Sequence, residues 1–290
     1  MPIMIGPLHP LYDAARKLER AREHIEALDA EIDAFIKSKP FSFEKEINAE
    51  GTHQIHRLKV TATPDRRLPL ILGDAVHNLR ATLDYLICQL VLAKDSKADC
   101  SGSQFPILRN ETDWKQRYVK RMIDGVDDDP LKIVKGFQPY HYGDTYHEHV
   151  FWGLAVLSNR DKHRTLNINR MGFKAHLRPG WEVEMFNEGD VFVTAYTIPL
   201  ADNPDETFVP TLVGELTFGE GGELVNREPV RIGTPYLWQV YELIRDNVLP
   251  RFAGYFTERV QEPTPGVTKV AWEGHATPPD EGAGRSTSVG

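Results

Sequence analysis

Two short segments concentrate the side chains able to do chemistry. The first runs Asp74-Ala75-Val76-His77-Asn78-Leu79-Arg80-Ala81-Thr82-Leu83-Asp84, and the second Asn159-Arg160-Asp161-Lys162-His163-Arg164. His77 and Arg80 are three residues apart and Arg80 and Asp84 four, so on a helix the three project from neighbouring positions. Imidazole moves protons near neutral pH, and a guanidinium steadies an oxyanion or a phosphate. His77 and His163 are therefore the candidate imidazoles for proton transfer, and Arg80, Arg160 and Arg164 the candidate guanidiniums for anion stabilisation. Asp84, Asn159, Asp161 and Lys162 would support them. The same residues also fit a buried ion-pair network that pins helix register and turns nothing over.

Positioning these residues requires long helices. Leu11, Ala14, Leu18, Ala21, Ile25, Leu28, Ile32 and Phe35 recur every three or four residues, which predicts a helix over 10–38. Val76, Leu79, Leu83, Leu86 and Leu90 predict a second over 72–94, with a neighbouring half-apolar stripe that buries it on most sides. A third is expected over 145–168, its apolar positions running straight into the second polar segment. If the second and third helices pack antiparallel, the two polar patches meet. Residues 41–70 read as a strand or hairpin between the first two helices. After Met171, alternation at Trp181–Phe186, Val191–Tyr196 and Leu212–Phe218 predicts a small antiparallel sheet. A last helix follows over 235–259, with Pro250 bending or interrupting it.

The expected fold class is therefore α+β and mainly α, a long-helix bundle with a small antiparallel sheet inserted before the last helix. The expected organisation is a helical domain over 1–171, with an extended segment near 50–70, and a sheet over 172–232. A closing helix over 233–260 and a disordered tail over 261–290, rich in Pro, Gly, Ser and Thr, complete it.

Outside the two segments, Lys115, Arg117, Tyr118, Lys120 and Arg121, next to Trp114, mix bases with aromatics as single-strand binding surfaces do. An amphipathic helix with a solvated basic face would look the same. His147 and His149, if helical, point about 200° apart and cannot share a metal, so no metal is expected. Cys88 reads as core packing and Cys100 as a loop thiol. Neither a phosphate-cradling loop nor a Gly-x-Ser-x-Gly elbow occurs, so no cofactor is called for.

The chain has 290 residues, a net charge of −8, 41% hydrophobic and 26% charged residues, and 2 Cys. That length can bury a core without staples. The acidic total opposes a surface that coats nucleic acid throughout, yet the basic runs at 114–121 and 160–174 leave room for a local phosphate contact. Two cysteines make no disulfide framework and no four-Cys zinc site, which fits a reducing compartment. No signal peptide or spanning segment is read, so a cytoplasmic protein without a membrane partner is expected. The long seam on the first helix suggests a homodimer.

The strings Gly73-Asp-Ala-Val-His-Asn-Leu-Arg-Ala-Thr-Leu-Asp-Tyr-Leu86 and Leu157-Ser-Asn-Arg-Asp-Lys-His-Arg-Thr-Leu166, with Gln104-Phe105-Pro106-Ile107 between them, resemble paired signatures of an uncharacterised bacterial and phage family. The helical portion is also distantly similar to HEPN domains. That similarity implies a nucleotide-binding bundle, often a dimer that cleaves RNA without metal through an arginine and a histidine four to six residues apart. Arg160 and His163 have two residues between them; Arg170 and His176 have five, at the boundary of helix and strand. The resemblance thus implies RNA as partner and a metal-independent endoribonuclease in bacterial or phage conflict. The alternative is a non-enzymatic binding or regulatory module whose His/Arg/Asp cluster is structural.

Overall fold

A computed structural model describes residues 5–62, 64–162, 172–174, 181–188, 191–200, 211–213 and 234–256. Four helices build the core: α1 (Tyr12–Lys37), α2 (Arg67–Lys94), α5 (Val150–Asp161) and α6 (Thr234–Leu243). Between α2 and α5 lie a 3₁₀ turn (Glu111–Lys115), α3 (Arg117–Met122), α4 (Asp128–Gly136) and a kinked 3₁₀ segment (Pro139–Glu148). The protein is mainly α with an antiparallel sheet, as expected. Among the described residues no helix is long and apolar enough to cross a membrane.

The stripe on α1 is buried from Leu11 to Ile32, and that on α2 from Val76 to Leu90. They bury one another. Glu31 pairs with Arg67 at one end, and Lys17 lies over the Tyr85 ring at the other. These contacts fix α1 and α2 as antiparallel. On its other flank α1 meets α6, where Trp238 Nε1 donates to Asp29 Oδ2 at 2.9 Å. The α1 seam that suggested a homodimer is thus consumed inside the chain. α2 begins five residues before the expected Leu72 because Leu68 and Ile71 add to the core, while Pro69 occupies a first turn whose N–H groups need no helical partner. Asp65 Oδ1 accepts the Arg67 N–H and closes that end.

α5 starts at Val150, not Thr145. His149 caps it by accepting the Phe151 N–H on Nδ1 at 3.1 Å, and the preceding residues form the 3₁₀ segment, kinked at Gly143 with φ of 56°. His147 and His149 therefore do not share a helix. α6 runs through a π turn (Ile244–Val248) into α7 (Leu249–Ala253). The wide turn lies immediately before Pro250, whose ring would clash with the carbonyl of residue 246 in a regular helix.

The sheet combines distant segments. Strands β1 (Phe41–Ile47) and β2 (His53–Val60) form the hairpin between α1 and α2; β4 (Glu182–Glu188) and β5 (Val191–Pro199) form a second one. Their order is β1-β2-β5-β4, all antiparallel, with His56 opposite Tyr196 across the central pair. The sheet expected from residues 172–232 alone thus includes the 41–60 hairpin. Short strands β3 (Gly172–Lys174) and β6 (Thr211–Val213) pair separately. Residues 214–218 of the third expected strand, and the tail over 261–290, lie outside the described residues.

Cys88 and Cys100 form a disulfide, with Cα atoms 5.3 Å apart. This corrects the reading of Cys88 as packing and Cys100 as a free loop thiol. The sequence separation of 12 concealed it, because the chain doubles back along α2 after Lys94.

Candidate functional site

Arg80 and Asp84 stand one turn apart on α2 and act together on the backbone of one residue. Arg80 Nη2 lies 3.0 Å from Asp84 Oδ1 and donates to the Phe105 carbonyl at 2.6 Å; Arg80 Nε donates to Asp84 Oδ2 at 3.3 Å. Asp84 Oδ1 in turn accepts the Phe105 N–H at 2.8 Å. The ion pair thus clasps both the donor and the acceptor of Phe105, whose ring is fully buried. Their side chains keep only 13% and 26% of their exposure.

Gln138 does the same from the other side. Buried to 1%, it accepts the Leu108 N–H at 3.0 Å on Oε1, and its Nε2 donates to the Pro106 carbonyl at 3.0 Å. Residues 104–108 form no regular element. Apart from the Gln104 N–H, which donates to the Met122 carbonyl, the bonded backbone groups of Phe105, Pro106 and Leu108 are held by side chains, as polar groups away from water require. The Gln104-Phe105-Pro106-Ile107 string singled out in the sequence is this stretch. Gln138 had no signal beyond its place in an aromatic run.

The clasped segment forms one wall of a cleft of about 370 Å³, with α2, α3 and α5 as the others. Trp152, Ala155, Val156 and Asn159 line it from α5, with Lys162 at its C-cap, at the spacing of one helical face. Phe151, Leu154 and Leu157 occupy the opposite face and enter the core. Arg80 lines the cleft from α2, Arg109 and Asp113 from the segment after the clasp, and Tyr118 from α3. α2 and α5 pack together at Gly73 and Asp161, and Arg80 lines the same cleft as Asn159 and Lys162.

The remaining candidates divide. His77 is exposed on α2 and does not line the cleft; it sits close enough to Asp161 to act on it electrostatically. Burial pushes the Asp161 carboxyl above the usual range, Asp74 adds to that, and His77 pulls it back. Asp161 rests against Gly73, where a Cβ would stand 2.6 Å from Oδ1, so the missing side chain lets the two helices approach. Arg160 is half-buried on α5. His163 and Arg164 lie outside the described residues, as do Arg170 and His176. Of the three α2 residues that fit a buried ion-pair network, Arg80 and Asp84 pair and are largely buried, whereas His77 is exposed.

The basic segment is two elements rather than one amphipathic helix. Gln116, with ψ of 140°, separates the 3₁₀ turn from α3. Lys115, Arg117, Lys120 and Arg121 are exposed, and Tyr118 alone of the five reaches the cleft. Trp114 is engaged inward, donating from Nε1 to the Tyr140 hydroxyl at 3.2 Å beneath Lys135.

Electrostatically the cleft favours an anion. Arg80 spends Nε and Nη2 on the clasp. Arg109 and Lys162 make no ion pair among the described residues, and the Arg109 guanidinium lies over the Tyr146 ring at 4.6 Å. Asp113, the acid of the cleft, has its Oδ2 occupied by the N–H and Nδ2 of Asn110. Tyr146 and Trp152 pack edge to face, centroids 5.0 Å apart, and the buried Trp152 Nε1 has no hydrogen-bond partner among the described residues. Sequence reasoning missed Arg109, Tyr146 and Trp152. A signal for Trp152 existed in its spacing to Asn159 on α5, but Arg109 and Tyr146 are brought together only by the fold. No group of three His, Cys, Asp or Glu able to hold a metal occurs among the described residues.

No protein-family model, curated protein or solved structure matches the chain.

Proposed function

We propose that this chain binds single-stranded RNA, holding a phosphate and a base in the cleft between α2 and α5, as a cytoplasmic module that need not be an enzyme. The observation that carries this reading is the convergence on one cleft of Tyr118, from the basic segment, with Arg109 and Lys162. An aromatic at the rim beside cations without carboxylate partners suits a base stacked next to its own phosphate. All of these residues come from one chain, so the site needs no second copy. The clasp made by Arg80 and Asp84 favours the non-enzymatic alternative over a HEPN-like endoribonuclease, because the arginine proposed for catalysis has structural duty.

The test is fluorescence anisotropy with a labelled single-stranded RNA across a salt series. Lys162→Ala and Arg109→Ala should each weaken binding, and together they should flatten the plot of log K against log salt by about 0.7, the loss of one phosphate contact. Tyr118→Ala should cost roughly 1–3 kcal/mol, or about 5- to 150-fold, with little change in salt slope. Absence of binding at low salt, or undiminished binding by the triple variant, refutes the proposal. Cleavage of the RNA in chelator that His163→Ala or His77→Ala abolishes would restore the endoribonuclease reading.

A further inference from the structure

We propose that Cys88 and Cys100 form a reversible thiol–disulfide switch that tightens or loosens the wall of the cleft. Its effect on a ligand rests on the RNA-binding reading above, whereas its chemistry and its structural consequence do not.

The argument begins with position. Cys88 is one helical turn beyond Asp84 on α2, and Cys100 is five residues before Phe105. The covalent tie Cys88–Cys100 and the polar tie Arg80/Asp84–Phe105 therefore hold the same returning segment against successive turns of one helix. Among the described residues, the Gln104 N–H to Met122 carbonyl bond, at 3.0 Å, is the one backbone–backbone tie to this stretch from outside. Gln104 and Phe105, immediately downstream, line the cleft. With the Arg80/Asp84 clasp on Phe105 and Gln138 on Pro106 and Leu108 still in place, breaking the disulfide loosens the segment without releasing it. The cysteines themselves lie outside the apolar core, into which the downstream Phe105 packs against Phe151.

Access comes next. Both cysteines are half-buried rather than buried, and Asp95, Ser96, Lys97 and Asp99 of the intervening loop are exposed, so the bond lies near the surface, where thiol exchange takes place. The chain has 2 Cys, both in this bond, so no third thiol competes and the switch has two states. In a reducing compartment, disulfides that form are chiefly transient or sensing ones rather than staples.

The exchange balances as follows. A thiolate of glutathione or of a reduced dithiol protein attacks one sulfur of the Cys88–Cys100 bond, forming a mixed disulfide and expelling the other cysteine as thiolate. A second reductant thiolate attacks the mixed disulfide, leaving Cys88 and Cys100 as two thiols and the reductant as its disulfide. Two electrons pass to the protein, and the two cysteine sulfurs take up the two protons. The reverse sequence, driven by oxidised glutathione or an oxidised dithiol protein, closes the clasp.

The experiment uses the full chain equilibrated in glutathione buffers from fully reduced to fully oxidised. Three readouts are taken: thiol alkylation counted by mass, amide hydrogen exchange, and anisotropy with the labelled RNA. Alkylation should pass from zero to two thiols within the span of the buffers. Exchange over residues 100–109 should speed by about tenfold or more on reduction, with α1 unchanged. RNA affinity should fall several-fold and return on reoxidation. Cys100→Ser should show the reduced exchange pattern under every buffer. A bond that no glutathione ratio reduces, or equal exchange over 100–109 in both states, overturns the switch. If neither state binds RNA, the ligand reading fails on its own, and alkylation and exchange still decide the clasp.

Discussion

Replacing Asp84 with alanine separates a structural clasp from a catalytic group. The substitution removes the acceptor of the Phe105 N–H at 2.8 Å and the partner of Arg80 at 3.0 Å. It leaves a guanidinium whose side chain is 13% exposed without its counter-charge, and a backbone donor beside a fully buried ring without its acceptor. Breaking a fully buried pair costs about 3–5 kcal/mol. Asp84 keeps 26% of its side-chain exposure, so water repays part of that loss and about 3 kcal/mol is expected. For a chain of this size that lowers Tm by about 6–12 °C. Arg80→Ala should cost about 2 kcal/mol, since it orphans the Phe105 carbonyl and the carboxylate, and the carboxylate is the more hydrated partner. In a double-mutant cycle by urea denaturation the two changes should couple by about 1.5 kcal/mol or more, because the second removal relieves the group that the first stranded. Additive losses below about 0.5 kcal/mol each would refute the clasp and return both residues to the list of groups free for chemistry.

Two further outcomes test how the helices are set. In Gly153→Ala a Cβ on α5 would lie 2.8 Å from Cζ of Tyr236, whose hydroxyl donates to the Val150 carbonyl. The rigid ring cannot swing aside, so overpacking outweighs the roughly 1 kcal/mol gain in helix propensity, and a net loss of about 2 kcal/mol by denaturant melts is expected. The His149 imidazole is held below its ordinary pKa, first by burial and then by the charge of His141. Its neutral Nδ1 must also accept the Phe151 N–H at a helix start, where positive charge is disfavoured. The unfolded chain therefore binds the proton first. Stability should be unaffected by this group above about pH 6.5, fall as pH drops below it, and level off below the depressed folded pKa. Thermal melts from pH 7.5 to 5 should show the slope, and His149→Asn, a cap that does not titrate, should flatten it; an unchanged slope rejects this origin.

Much of the bundle was legible from apolar spacing. Seven of the eight α1 positions named from that spacing, Leu11 through Ile32, are buried, as are Val76, Leu79, Leu83, Leu86 and Leu90 on α2, because a stripe at helical period has one way to leave water. Helix ends were read less well. The start of α5 depends on the His149 cap and the Gly143 kink, which spacing does not encode.

By itself, then, the sequence determined the long helices, the inward faces of α1 and α2, the strand pattern of β4 and β5, and the two polar segments worth attention, but not the short α3 and α4. Tertiary structure alone decided what those segments do. It set Arg80 and Asp84 against a backbone 21 residues further on, measured from Asp84. It joined Cys88 to Cys100, paired the 41–60 hairpin with β5, and carried Tyr118 and Arg109 to the same cleft as Lys162. The physical reason is the range of the forces. Burial of an amphipathic stripe is legible locally because period and polarity lie along the chain. Hydrogen bonds, disulfides and charge pairs act over a few ångströms between residues that only the packed fold brings that close.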